Sequence, residues 1–239
     1  MAVPSDVRAE SDELHVEGRS LMAGGLLSKE HFRFGDYAVT EVSRGGSGSG
    51  ATPYPTFAGF DVDSESRIAF TFKHGADVLP GACVAETHES STELVRVKLH
   101  GKSARFGCAC GDPGAPAATM TLVLPASGLG IEGSMNAGGT PLSVKALYDL
   151  EGAGPASDPS GYRVDGERGV AAAVDVLGGG RAWMGKSVDA LQRTAVACML
   201  AGLFLYRPPG SDAHPSRIEV PQKHALPLAH AQRAPRIRG

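Results

Sequence analysis

The chain has 239 residues, 42% of them hydrophobic and 21% charged, with a net charge of −3. That is enough for one large or two small domains with a substantial core, and it excludes a global electrostatic case for nucleic-acid binding. The 32 glycines and 16 prolines point to many turns and short strands rather than long helices.

The charge is uneven. Residues 207–239 hold six Lys/Arg and two Asp/Glu, a net of +4, whereas residues 1–206 carry a net of −7. A basic end on an acidic body reads as a solvated tail. At the other end, MAVPSDVRAESDELHVEG has no apolar stretch of the secretory kind. The chain is then either cytoplasmic or given from a point downstream of a signal. Residues 1–13 are polar and predict a disordered N-terminus.

From Leu14 onward, short apolar or alternating runs are broken by glycine. FRFGDYAVTEV (32–42) favours strand, with a break at Gly35. RGGSGSGATPYP (44–55) has the composition of a flexible loop. RIAFTFKH (67–74) alternates through Ile68, Phe70 and Phe72. ELVRVKLH (93–100) places Val95, Val97 and Leu99 on one face, and Gly101 permits a hairpin into KSARFGCAC. TMTLVLP (119–125), LSVKALYDL (142–150) and VAAAVDVL (170–177) read as further strands. Asp165-Gly166 is a hairpin signal. The spacing predicts about ten to twelve strands in an antiparallel barrel or sandwich.

One long helix is predicted, residues 188–206, with Ser187 or Asp189 as its cap and Pro208-Pro209 barring its continuation. After Arg193 it has no polar stripe, so it is buried all round. Thirteen uncharged residues span roughly 20 Å, short of a roughly 30 Å hydrocarbon layer, which makes it a core helix. The segment GYRVDGERGVAAAVDVLGGGRAWMGKSVDALQRTAVACMLAGLFLY (161–206) resembles tubby-like and scramblase-like barrels. In those, a closed sheet encloses a C-terminal apolar helix. FRFGDYAVTEVSRG followed much later by this helix is also similar to bacterial envelope lipoproteins. There a lipid-bearing cysteine precedes a β-rich body; this chain has no cysteine near residue 1.

The string GRAWMGKS (180–187) matches G-x-x-x-x-G-K-[ST], with Gly180, Gly185, Lys186 and Ser187 in place. Such a loop cradles phosphates on converging backbone N–H groups, with lysine on the β/γ-phosphates and the hydroxyl on Mg²⁺. A strand before it and a helix after it fit. Bulky Trp183 and Met184, the want of crossover helices upstream and the want of a metal-binding strand do not. The favoured reading is the last strand-to-helix junction of a β-rich fold, with Ser187 capping the helix.

The four cysteines are Cys83, Cys108, Cys110 and Cys198. Zinc needs C-x₂₋₄-C pairs, which C-A-C does not supply. A disulfide from Cys83 to Cys108 or Cys110 is expected if the chain is exported, and Cys198 reads as a buried thiol. GGSGSG (45–50) lacks the register of a nucleophile elbow or dinucleotide fingerprint. His74, His88 and His100 lie near strand ends; His214, His224 and His230 lie in the tail. Asp61 and Asp63 stand outside any full Ca²⁺ loop pattern. No catalytic group, cofactor or metal is expected.

These readings give one mainly β (α+β) domain, 14–206, between a disordered N-terminus (1–13) and a disordered basic tail (207–239). The expected role is non-catalytic: a cell-envelope or periplasmic, membrane-proximal binding or structural protein, with a lipid or membrane surface as partner. A P-loop enzyme and a carrier of lipid or small apolar ligands are the alternatives.

Overall fold

A computed structural model describes residues 1–19, 30–53, 58–94, 97–124 and 130–206. Residues 1–206 form one compact unit. The predicted tail, Pro208-Pro209 and the three tail histidines lie outside the described residues.

The fold is mainly β. Thirteen antiparallel strands make one nearly closed barrel: β1 (Ser11–Leu14), β2 (Val16–Glu17), β3 (Phe32–Phe34), β4 (Tyr37–Pro53), β5 (Ala58–His74), β6 (Asp77–Leu94), β7 (Val97–Asp112), β8 (Ala115–Leu124), β9 (Glu132–Ala137), β10 (Thr140–Leu147), β11 (Gly161–Gly166), β12 (Gly169–Asp175) and β13 (Arg181–Gly185). Each strand from β2 to β13 pairs with its chain neighbour, and β1 pairs with β13. The two ends of this order, β1 and β2, are separated in sequence by His15 alone. One short, broken strand thus brings the sheet back on itself and leaves little edge exposed.

Period-two alternation sets the wall. Phe32, Phe34, Tyr37, Val39, Ile68, Phe70, Phe72, Phe106, Met120, Leu122, Met135, Leu142 and Val144 are buried in one core. The helix α2 (Ala190–Leu205) completes that core. It touches β5 to β9, β12 and β13, and every residue from Ala195 to Tyr206 is buried. A helix without a polar stripe needs such a surround. No helix of the described residues is long and apolar enough to cross a membrane.

The barrel has two unlike ends. At one, two-residue turns join β3–β4, β5–β6, β7–β8, β9–β10 and β11–β12, and α2 begins there. The β9–β10 turn is Gly138-Gly139, both in the left-handed region (φ +60° and +83°) that a tight hairpin turn requires. At the other end, β4 to β7 run on for 16 to 18 residues, whereas β8 to β13 have ten or fewer. At about 3.3 Å per residue, that is roughly 55 Å against roughly 33 Å at most.

Several expectations are corrected. Residues 1–13 are ordered: α1 (Ser5–Glu10) and β1 bury Met1, Val3 and Val7 with Trp183, Val170 and Ala173. The cause is apolar: Val7 on α1 and Val3 just before it cover Val170, Ala173 and Trp183 on the outer face of β12 and β13. Residues 44–53 belong to β4, because their backbone pairs with β5 through to Pro53↔Phe60. Gly101 lies within β7, paired with Ser90, and not at a turn. The alternating run 93–100 spans the end of β6 and the start of β7. The β11–β12 turn is Glu167-Arg168, two residues beyond Asp165-Gly166, with Gly166 paired to Gly169.

Candidate functional site

The GRAWMGKS segment is divided by the fold. Arg181–Gly185 form β13, with Ala182, Trp183 and Met184 paired to β12 on one side and β1 on the other. Their backbone amides belong to a ladder, so they do not converge on a phosphate. Gly180 and Gly185 sit at opposite ends of the strand, roughly 17 Å apart at about 3.3 Å per residue. Gly180 closes the turn before β13, its N–H donating to Leu177 O at 2.9 Å. A Cβ there would meet the Phe204 ring at 2.7 Å. Lys186 donates from Nζ to Ala9 O at 3.1 Å and from its backbone to Glu10 O at 2.9 Å. Ser187 does not cap α2. Asp189 does, its carboxylate accepting from Gln192 N at 2.9 Å.

The cysteines fall into two pairs at disulfide distance. Cys83 and Cys108 are register partners on β6 and β7, with Cα atoms 4.1 Å apart. The expected choice between Cys108 and Cys110 thus goes to Cys108. Cys198 is corrected from a plain thiol: it faces Cys110 across 6.4 Å between Cα atoms and ties α2 to β7. Every described cysteine is paired.

These contacts follow a matched spacing. Cys198 meets Cys110, Gly202 meets Cys108, and Tyr206 stacks on Phe106 at 4.2 Å between ring centroids. Four helical residues advance about 6 Å and two strand residues about 6.6 Å, so α2 runs antiparallel along β7 in step with it. Gly202 permits the approach, since a Cβ would lie 2.8 Å from Cys108 Sγ and 3.2 Å from Cys83 Sγ.

The open end of the barrel holds the helix by polar contacts that sequence reasoning missed. Arg19 donates to Phe204 O at 3.1 Å and to Val176 O at 2.9 Å. Arg44 donates twice to Leu205 O at 3.1 Å and also pairs with Glu30 at 2.9 Å. Two guanidinium groups thus meet the last carbonyls of α2, where unsatisfied acceptors and the negative end of the dipole collect. No local signal marks these arginines, because their partners on α2 lie more than 150 positions away.

Three tyrosines gather at this end. Burial pushes Tyr206 up to about 12, and holds Tyr162 well above the ordinary tyrosine value. The Tyr162 hydroxyl is buried without a hydrogen-bond partner among the described residues. Tyr148 accepts from Ile131 N at 3.1 Å, and its pKa is also raised by burial.

The three dispersed histidines are not brought together. His74 lies 3.0 Å from Thr194 Oγ1, at the turn end. His88 faces Asp63 on β5, eleven positions, or roughly 36 Å, from His74. The side chains of His100, Asp61 and Asp63 lie outside the described residues. Among the described residues no group of three or more His, Cys, Asp or Glu is placed to hold a metal ion.

Comparison with known proteins finds no matching family model, no matching curated protein and no matching solved structure.

Proposed function

We propose that this chain is a non-catalytic binding or structural module of a non-reducing compartment, acting at the cell envelope or close to a membrane. The observation that carries the reading is the helix α2, which fills the barrel interior and is linked to its wall through Cys110 and Cys198. A barrel packed in this way has little room for a guest, so recognition falls to its surface and ends. That argues against the carrier reading. The commitment of residues 181–185 to a ladder argues against the nucleotide reading.

Two cysteine pairs support an oxidising surround, because disulfides persist there and not in glutathione-buffered cytosol. The +4 charge of residues 207–239 supports an anionic surface as partner. The likeness to tubby-like and scramblase-like barrels stays part of this proposal, and the enclosed C-terminal helix supports it.

Acid-quenched alkylation of the protein taken from its native compartment tests the reading. No cysteine should be alkylated before reduction and four after it. Four reactive thiols at the outset would refute the compartment. Salt-sensitive co-sedimentation of the full chain with phosphatidylglycerol vesicles tests the membrane part; no binding at low salt would end it.

A further inference from the structure

The two cysteine pairs differ in what surrounds them. Cys110 and Cys198 are both fully buried, and their link joins the wall to the helix. Cys83 and Cys108 stand side by side on the wall and meet the helix at Gly202. Cys108 keeps 6% of its surface exposed, the most of the four.

The wall leaves no spare room around Cys83 and Cys108. Across the strands they belong to one register row, Ile68–Cys83–Cys108–Met120, and both flanking side chains are buried. Along β6 the Phe70 ring fills the space over Gly81. Along β7 the neighbours are Phe106, which lies against the Tyr206 ring, and Cys110. On the inner side α2 passes at Gly202, where even a Cβ would lie 2.8 Å from Cys108 Sγ and 3.2 Å from Cys83 Sγ.

The seat of the helix therefore depends on a covalent bond beneath it. Two sulfurs that are bonded need less room than two thiols, because non-bonded heavy atoms part to roughly 3.5–4 Å. A close-packed interior transmits such a change instead of absorbing it. With the row filled on both sides, the parted sulfurs press on the notch at Gly202. Towards the turn end the helix is held by Cys198. Beyond Gly202 the last turn is held by Arg19, Arg44 and the stacking of Tyr206 on Phe106. That last turn is the part able to yield.

We propose that the Cys83–Cys108 disulfide is a redox-sensitive latch on the open end of the barrel. When it is formed, the last turn of α2 is seated. When it is reduced, that turn lifts from Phe106 while Cys110–Cys198 keeps the rest of the helix in place. The reductant is a dithiol. One of its thiolates attacks Cys108 Sγ, and Cys83 leaves as a thiolate that takes up a proton. The second thiol of the reductant then resolves the mixed disulfide, frees Cys108 and departs as the oxidised disulfide. The 88 residues spanned by Cys110–Cys198 make that link the harder one to open. The latch rests on the compartment reading, because it is set only where disulfides persist.

Dithiothreitol titration of the oxidised full chain, with acid quench, alkylation and peptide mapping, tests the order. A species alkylated at Cys83 and Cys108, with Cys110–Cys198 intact, should accumulate. In that species hydrogen exchange should quicken about tenfold at residues 203–206 and stay unchanged at 195–199. Gly202→Ala should quicken the same four amides in the oxidised protein. Combined with Cys83→Ala and Cys108→Ala, which make room for the methyl group, it should not. If Gly202→Ala fails to fold, reduction order and exchange decide alone. The latch is overturned if Cys110–Cys198 opens first or with the other pair, or if residues 203–206 exchange alike in both states. It is also overturned if Gly202→Ala acts equally with and without the two sulfurs. Failure of the compartment reading would show differently, as four free thiols in protein from its native compartment.

Discussion

The two ends of the barrel hold the same helix by different chemistry. At the turn end α2 is held mostly by neighbours in sequence: Asp189 caps Gln192, and Arg193 donates to the carbonyls of Val188 and Gly185, with His74 of β5 beside Thr194. A covalent tie, Cys198 to Cys110, backs these local bonds near the end of β7. At the open end the partners come from far along the chain, Arg19 and Arg44 to the last carbonyls, and Tyr206 to Phe106. The capping bonds of the turn end can therefore form locally, whereas the open end closes only when the barrel does. A helix with a covalent tie at one end and charged caps at the other should lose more from cutting the tie.

Replacing Cys110 and Cys198 together by serine gives the largest effect. Loop entropy for 88 residues amounts to about 4.6 kcal/mol, against about 3.5 kcal/mol for the 25 residues between Cys83 and Cys108. Urea unfolding of the two double variants should show that order. The reverse order would mean that the hairpin, not the helix, is the element that most needs its tie. Next comes Arg44→Met at the open end. It removes two charge-assisted bonds to Leu205 O and should cost about 2.5 kcal/mol by the same measurement. The exposed part of its pairing with Glu30 adds little. A loss as large as that of the cysteine pair would erase the distinction between the ends.

The open end also holds three of the four described tyrosines that burial raises, Tyr37 at the turn end being the fourth. Tyr206 titrates near 10.0 when unfolded and at about 12 when folded. Between these values the native state keeps a proton that the unfolded state has released, so stability falls as pH rises. The contribution is complete below pH 10 and is lost towards pH 12, about 2 kcal/mol in all. Tyr206→Phe should remove that part of the alkaline slope and leave the rest to the other described tyrosines that burial raises, Tyr37, Tyr148 and Tyr162. A slope unchanged in the variant would show that Tyr206 is not buried as a neutral phenol.

The same division explains what could be read from the sequence. Strands whose pairing agrees with their own alternation were legible, as in Ile68, Phe70 and Phe72 or Met120 and Leu122. So was the helix, from thirteen uncharged residues after Arg193. Segments whose state is set by a distant partner were not. Residues 44–53 have the composition of a linker and become strand only because β5 lies beside them. The run 93–100 is shared between the end of β6 and the start of β7. Cys198 looks like any thiol in an apolar run until β7 places Cys110 next to it. Trp183 and Met184 spoke against a phosphate loop for a correct physical reason, their bulk, and both are buried in β13.

Asp189 gives the smallest effect and the sharpest test of locality. Its carboxylate caps Gln192 N at 2.9 Å from an extended backbone, and its carbonyl accepts from Arg193 N at 2.9 Å. Asp189→Ala removes only the side-chain bond and should cost about 1 kcal/mol. Asp189→Asn keeps the acceptor, removes the charge at the positive end of the helix and should cost a few tenths of a kcal/mol. If the turn end forms as a local unit, hydrogen exchange should quicken at residues 190–193 in the alanine variant and stay unchanged at Phe204 and Leu205. Equal quickening at both ends would mean that α2 opens as one piece. The covalent tie at Cys198 would then separate nothing, and the contrast between the two ends would be one of chemistry without consequence for motion.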